Sequence, residues 1–108
     1  MEIIEVRQYQ TADGRTPFAE WLADLRDLRA KRAIVARTTR MQAGNRGDWK
    51  ALGAGVFELR IDIGPGYRVY CGQDGATLVL LLCAGDKRTQ TKDIDHAREY
   101  WKDYQARR

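Results

Sequence analysis

Histidine and cysteine are scarce in this sequence: its 108 residues include one histidine, His96, and two cysteines, Cys71 and Cys83. A zinc site takes about four such ligands at defined spacings, and a disulfide scaffold takes a spaced set of cysteines. The two cysteines lie within apolar segments, so we expect them to be buried thiols. We predict no metal site and no other cofactor, so that any catalysis would use side chains alone.

The sequence also has no long hydrophobic run. The longest apolar stretch, Leu78 to Ala84, is far shorter than the roughly 20 residues that span a bilayer. Residues 1–5 contain acidic side chains and no basic residue, unlike the start of a secretory signal. We therefore expect a cytoplasmic protein with no membrane partner.

Positive charge is present but unevenly spread. The chain has 19 Lys and Arg residues against 15 Asp and Glu residues, a formal net charge of +4. Residues 31–50 hold 6 basic and 1 acidic side chains, and residues 86–108 hold 7 and 5. Such basic blocks suit a phosphate-bearing partner, although a solvated helix face has the same composition.

Length and hydrophobic periodicity predict one α+β domain over residues 1–108. Residues 2–9 are typical of a strand, and two helices follow, the first beginning at Thr16-Pro17 and the second covering 29–43. Three further segments predict strands, and a last helix begins near Gln90. The predicted order is an N-terminal strand, a helical hairpin, three antiparallel strands and a C-terminal helix. The three strand segments are 56–61 and 67–71, which alternate, and the continuously apolar 77–83.

Four segments together carry a family resemblance. They read GDWKAL over 47–52, VFELR over 56–60, GYRVY over 66–70 and GDKRTQ over 85–90. In this order and spacing the sequence resembles the RelE/ParE toxin superfamily, and within it the HigB-like branch of addiction module killer proteins. The resemblance implies a RelE-like fold and the toxin of a bacterial type II toxin–antitoxin system. The implied partner is a cognate antitoxin, a small helix-turn-helix protein of the HigA-like kind.

Most RelE-like and HigB-like proteins are mRNA interferases, endoribonucleases that cut mRNA on the ribosome. By motif, the resemblance implies catalytic roles for Arg68, for the pair Lys87 and Arg88, and for Arg60. Cations at the scissile phosphate can support metal-independent cleavage by the neighbouring 2′-hydroxyl. Arg60 lies beside Arg68 only if the two are paired in the hairpin, since a one-residue slip separates them. A salt bridge of Arg60 to Glu58 or Asp62 is an equally good interpretation.

The general base stays open at this point. RelE-type enzymes place a tyrosine in the last helix, whereas residues 92–96 here read KDIDH. Lys87 is the first candidate, because neighbouring cations favour its neutral amine. His96 is the second, because histidine is a common general base, and it is also a candidate RNA contact.

A glycine-bounded loop before the hairpin carries three candidate RNA-binding residues, Arg46, Trp49 and Lys50. We assign Arg46 and Lys50 a general electrostatic role. Trp49 either stacks on a base or closes the edge of the core, and we prefer the structural interpretation.

Two other functions remain alternatives. The ParE branch inhibits DNA gyrase and needs no 2′-hydroxyl chemistry. A non-catalytic module would only bind a DNA-binding antitoxin. The combination of Arg68 with Lys87 and Arg88 favours RNA cleavage over gyrase binding, and the non-catalytic module stays open.

Overall fold

Strands and helices share the chain in the computed structural model, which describes residues 3–108. The strands are β1 (Glu5–Gln8), β2 (Trp49–Gly53), β3 (Val56–Ile61), β4 (Tyr67–Asp74) and β5 (Leu78–Asp86). The helices are α1 (Pro17–Asp24), α2 (Leu28–Arg40) and α3 (Gln90–Arg107), with short 3-10 turns at Met41–Ala43 and Lys87–Thr89. The predicted α+β class is confirmed. Within residues 3–108, no helix combines the length and apolarity needed to cross a membrane.

Local signals explain where the helices begin and end. Thr16 precedes α1 with proline at the first helical position, as predicted, and the Glu20 carboxylate accepts a hydrogen bond from the Thr16 N–H. Asp27 caps α2 by accepting from the Ala30 N–H at 3.1 Å. Gly44 then ends the 3-10 turn with φ at +83°, a conformation that glycine adopts without a Cβ clash. The predicted second helix is thereby confirmed.

The five strands form one sheet in the order β1-β5-β4-β3-β2. β1 runs parallel to β5, and every other neighbouring pair is antiparallel. The two sheet faces are covered by different helices. One face packs on α1 and α2 through Phe18, Ala30, Ile34, Leu59 and Val69. The other packs on α3 through Tyr70, Leu82, Ala97 and Trp101. The prediction that the apolar strand β5 is covered on both faces is confirmed, because it supplies Leu81 to the first core and Leu82 to the second.

Two strand predictions need correction. The glycine-bounded loop assigned to residues 46–50 is wrong in part: Trp49 and Lys50 open β2, so the sheet has four antiparallel strands after the helices rather than three. β2 is an edge strand with mostly exposed side chains, and it therefore lacks the apolar alternation that marks a half-buried strand. The first strand is Glu5–Gln8, shorter than 2–9, and Glu2 lies outside the described residues.

Candidate active site

The register of the β3–β4 hairpin brings two predicted catalytic arginines together. Arg60 lies directly opposite Arg68, and Glu58 lies directly opposite Tyr70. Side chains two residues apart on a strand share a face, so these four residues lie on one side of the sheet. Tyr70 belongs to the core that α3 covers, which identifies that side. The condition that the sequence left open for Arg60 is thus met.

A buried carboxylate lies between the two arginines. Glu58 is 1% exposed, and its Oε2 lies 3.0 Å from Arg68 Nε and 3.3 Å from Arg60 Nε. The salt bridge from Arg60 to Glu58, one of the two interpretations of Arg60, is therefore present, and Arg68 shares the same carboxylate. We call Glu58, Arg60, Arg68 and Tyr70 the Glu58 cluster.

The two arginines differ in how far they reach solvent. The Arg68 side chain is 12% exposed and that of Arg60 is 36% exposed. Arg68 Nη1 donates to the Tyr67 carbonyl at 3.2 Å. The Arg68 Nε–H does not point along the line to Glu58, so that 3.0 Å contact is an ion pair rather than an aligned hydrogen bond. Arg68 is a largely enclosed cation with a small opening to solvent.

Tyr70 adds a buried hydroxyl to the cluster. Its side chain is fully buried, and within the described residues its hydroxyl has no hydrogen-bond partner. Burial, followed by the nearby Glu58 and Asp93 carboxylates, raises the pKa of Tyr70. The hydroxyl therefore stays protonated at physiological pH.

The start of α3 lies against the neighbouring strand. Gly85 is paired with Arg68, and a Cβ on Gly85 would overlap the Asp93 carboxylate and lie 2.7 Å from Thr89 Oγ1. Thr89 Oγ1 in turn donates to Asp93 Oδ2 at 2.5 Å. Glycine at position 85 thus lets this buried aspartate approach the sheet beside the Glu58 cluster.

Lys87 and Arg88 follow β5 but have different surroundings. Lys87 is exposed, its N–H donates to the Gly66 carbonyl at 3.1 Å, and its stem lies over Gly66, where a Cβ would be 2.8 Å from Lys87 Cε. Lys87 therefore lies beside Gly66, which immediately precedes β4 and is two residues before Arg68. Arg88 is exposed and forms an ion pair with Asp86 at 2.9 Å. Of the basic pair, Lys87 is the residue packed against the strand that carries Arg68.

Strand β2 separates the three residues that the sequence grouped as RNA contacts. Lys50 pairs with Glu58, so it lies on the face of the Glu58 cluster, and it is exposed. Trp49 pairs with Leu59, on the face covered by α1 and α2. Neighbouring residues of a strand point to opposite faces, and Lys50 and Trp49 therefore cannot line one site.

Trp49 and Arg46 form a stack on that other face. Trp49 is 44% exposed and meets Phe57 edge-on with ring centroids 5.7 Å apart. The Arg46 guanidinium lies 3.9 Å from the Phe57 centroid and 4.6 Å from that of Trp49, and it also donates to Gln73. Burial lowers the pKa of Arg46, which still leaves a guanidinium charged. Arg46 and Trp49 thus cover the edge of the first core.

His96 lies on α3, half-buried, with its ring centroid 6.2 Å from that of Tyr100. It lines a shallow depression of about 570 Å³ together with Arg88 and Lys92. None of the Glu58 cluster lines this depression.

Sequence reasoning missed two residues that shape the site. Alternation along β3 predicts Glu58 on the polar face, as a possible partner of Arg60, whereas α3 covers this face in the structure. Arg37 belongs to the basic block of residues 31–50, whose composition suits either a phosphate-bearing partner or a solvated helix face. Its guanidinium instead donates to the carbonyls of Arg60 at 2.6 Å, Asp48 at 2.8 Å and Arg46 at 2.9 Å. The signal that could have found Glu58 is the set of apolar side chains on the last helix, which need a surface to pack against. The sequence contains no comparable signal for Arg37.

Comparison with known proteins identifies the family of this chain. The pattern of the family described as "Phage derived protein Gp49-like (DUF891)" matches residues 20–102, which include the whole Glu58 cluster. The chain belongs to the Gp49-like family. An uncharacterized protein of Haemophilus influenzae (strain Rd) is 56% identical to this Gp49-like chain over 81 residues, which cover 75% of this chain and 82% of the relative. Gp49-like proteins are a toxin-like family of addiction modules.

Both cysteines of this Gp49-like chain lie in its interior. They are buried and unpaired, as predicted, and burial raises the pKa of Cys83 to about 12 and that of Cys71 as well. Neither thiol is a ready nucleophile. Within the described residues, no three His, Cys, Asp or Glu side chains lie close enough to hold a metal ion.

Proposed function

We propose that this Gp49-like protein is the toxin of a bacterial type II toxin–antitoxin pair and acts as a ribosome-dependent mRNA interferase related to the RelE and HigB-like toxins. The family supports the toxin role. The observation that carries the nuclease role is the register pairing of Arg60 with Arg68 on a face that also holds Lys50. Several cations on a rigid sheet are suited to a phosphate group.

The proposed reaction breaks one phosphodiester bond without a metal. The 2′-oxygen of the ribose bonds to phosphorus, and the 5′-oxygen of the next nucleotide leaves. The proton of the 2′-hydroxyl passes to a base, and an acid protonates the leaving oxygen, which yields a 2′,3′-cyclic phosphate and a 5′-hydroxyl. Arg68 and Arg60 stabilise the extra negative charge on the phosphorane oxygens.

Lys87 is our first candidate for the base, with His96 second. Lys87 packs beside the start of β4, while His96 lies along α3 in a separate depression. Arg88 contributes positive charge only at the rim of the site. Its guanidinium already forms an ion pair with Asp86, which reduces the charge available to the phosphate. Lys50 approaches the phosphate backbone from the edge strand.

The proposed partners are the ribosome with its mRNA and a cognate antitoxin. The net charge of +4 is small for tight binding to free RNA, so the ribosome positions the message in the cytoplasm. A small helix-turn-helix antitoxin of the HigA-like kind silences the toxin. The chain should therefore arrest growth when it is produced without that antitoxin.

The test is induction in bacteria followed by mapping of RNA ends. Wild-type protein should produce new 5′-hydroxyl ends within translated mRNA. Arg68→Ala and Lys87→Ala should each reduce cleavage roughly 100-fold or more, as removal of one transition-state donor does. Arg26→Ala, an exposed arginine between α1 and α2, is the charge-matched control and should cleave normally. Purified protein should keep cutting ribosome-bound mRNA in EDTA at a magnesium level that keeps ribosomes intact.

Two results would overturn this function. Growth arrest with intact mRNA and damaged DNA would favour a ParE-like gyrase inhibitor. Harmless expression of soluble, folded protein would favour a non-catalytic antitoxin-binding module.

A further inference from the structure

Glu58 is a buried charge that the proposed reaction does not use. A carboxylate that is 1% exposed has lost its hydration, which costs much free energy unless opposite charges compensate. Arg68 Nε at 3.0 Å and Arg60 Nε at 3.3 Å provide that compensation. The carboxylate is therefore held where it is by the two arginines.

The positions of the two arginines depend in turn on Glu58. Residues directly opposite on antiparallel strands have Cβ atoms about 5 Å apart, and like charges at such positions repel. Arg60 and Arg68 are such a pair. A single oxygen, Glu58 Oε2, contacts Nε of both, so both guanidiniums are drawn to one point instead of turning apart.

Contact through Nε determines which arginine atoms stay available. Arg68 Nη1 donates to the Tyr67 carbonyl. Among residues 3–108, no protein acceptor is bonded to Arg68 Nη2 or to either Nη of Arg60. These terminal groups can meet two oxygens of one phosphate while the Nε sides remain tied to Glu58.

We propose that Glu58 is a positioning residue, which aligns Arg60 and Arg68 for the transition state and weakens the attraction of the site for RNA in the ground state. The proposal rests on the proposed function. Its two effects have opposite signs, because a negative charge near the phosphate opposes binding whereas alignment acts where the phosphorane charge develops. Loss of Glu58 should therefore separate cleavage from binding.

The experiment uses purified full-length protein and 70S ribosomes programmed with one defined mRNA. It measures the single-turnover cleavage rate constant and the Kd for the programmed ribosomes, with Tm as the check on folding. The variants are Glu58→Gln, Glu58→Asp and the control Asp62→Asn, which removes an exposed carboxylate just after β3. Glu58→Gln should cut roughly 100-fold more slowly, since misplacement by an ångström has effects of this size, while its Kd is unchanged or tighter.

The other variants distinguish positioning from damage to the fold. Glu58→Asp keeps the charge on a shorter side chain and should recover part of the rate; it replaces Glu58→Gln if that variant fails to fold. Asp62→Asn should match the wild type. A rate for Glu58→Gln within roughly threefold of wild type, or a Kd that weakens in step with the rate at unchanged Tm, overturns the proposal.

A second readout needs no cleavage. In ¹⁵N NMR relaxation, the Arg68 Nε–H bond should be rigid in the wild type and more mobile in Glu58→Gln, because the ion pair at 3.0 Å holds the guanidinium. If wild-type protein cuts no mRNA, the proposed function fails, and this signal then decides the role of Glu58 by itself. Equal order parameters for this bond in both proteins would show that Glu58 does not hold Arg68.

Discussion

Among the arginines near the surface, we expect Arg37 to contribute most to the free energy of unfolding. Its guanidinium donates to three backbone carbonyls, those of Arg60, Asp48 and Arg46, at 2.6 to 2.9 Å. These contacts tie α2 to the end of β3 and to the segment that leads into β2. Arg37→Ala removes all of them at once. The Asp48 carbonyl keeps its bond from the Arg60 N–H at 2.9 Å, whereas the carbonyls of Arg60 and Arg46 lose this donor.

The expected loss can be worked from these contacts. A hydrogen bond from a charged group contributes about 1.5–3 kcal/mol. Asp48 is exposed, and water can replace the donor there. We therefore expect Arg37→Ala to lower the free energy of unfolding by about 2–4 kcal/mol, less than three independent bonds would. Arg37→Lys should recover less than half, because an ammonium does not reproduce the fork of the guanidinium.

Urea unfolding followed by circular dichroism measures this effect, with Arg32→Ala as the control. Arg32 is an exposed arginine of the same helix, and its loss should change the unfolding free energy by about 0.5 kcal/mol or less. If Arg37→Ala and Arg32→Ala are equally stable, the three carbonyl contacts do not hold the molecule together, and the reasoning is refuted.

Three further variants test other contacts. Tyr70→Phe removes a buried hydroxyl without a partner and should leave stability unchanged or raise it by about 1 kcal/mol in urea unfolding; a clear loss would reveal a hidden hydrogen bond. Hydrogen bonds from Arg107 and then from Tyr9 lower the pKa of Asp103. The ionised Asp103 carboxylate therefore stabilises the fold at pH values above the ordinary carboxyl range, and this stabilisation is lost as pH falls. The unfolding free energies of wild type and Asp103→Asn should differ at about pH 6 and converge below about pH 3. Gly85→Ala should lower Tm sharply because its Cβ overlaps Asp93, and adding Asp93→Ala should restore part of the loss; no drop in Tm would contradict this packing.

Burial explains which elements were predictable. β3, β4 and β5 place apolar side chains in a core, so their periodicity is visible in the sequence. The helices begin at Thr16-Pro17 and Asp27, which carry recognisable start signals. β2 buries little, and its pairing with β3 depends on backbone hydrogen bonds that any sequence can make. Its existence was therefore not predictable from hydrophobicity.

Motifs name candidate residues for the site, whereas the geometry of these residues could not be predicted from the sequence. Motif resemblance selected Arg60, Arg68 and Lys87, yet the pairing of Arg60 with Arg68 follows from the hairpin register, which a one-residue slip would change. Glu58 was missed because strand alternation places it on a polar face, and only the packing of α3 makes that face an interior. Tertiary contacts of this kind have no local signature.

Two cations of the basic block at residues 31–50, Arg37 and Arg46, have structural roles that the composition of the block does not indicate. The Arg37 guanidinium donates hydrogen bonds to three backbone carbonyls, and Arg46 stacks on Phe57 on the face away from the Glu58 cluster. Lys50 alone among these three lies on the cluster's face. A protein that divides its cations in this way has a weak electrostatic footprint for free RNA, because affinity follows the number of phosphates neutralised together. The same division supports the proposed dependence on the ribosome, since a few well-placed cations need their substrate delivered in position.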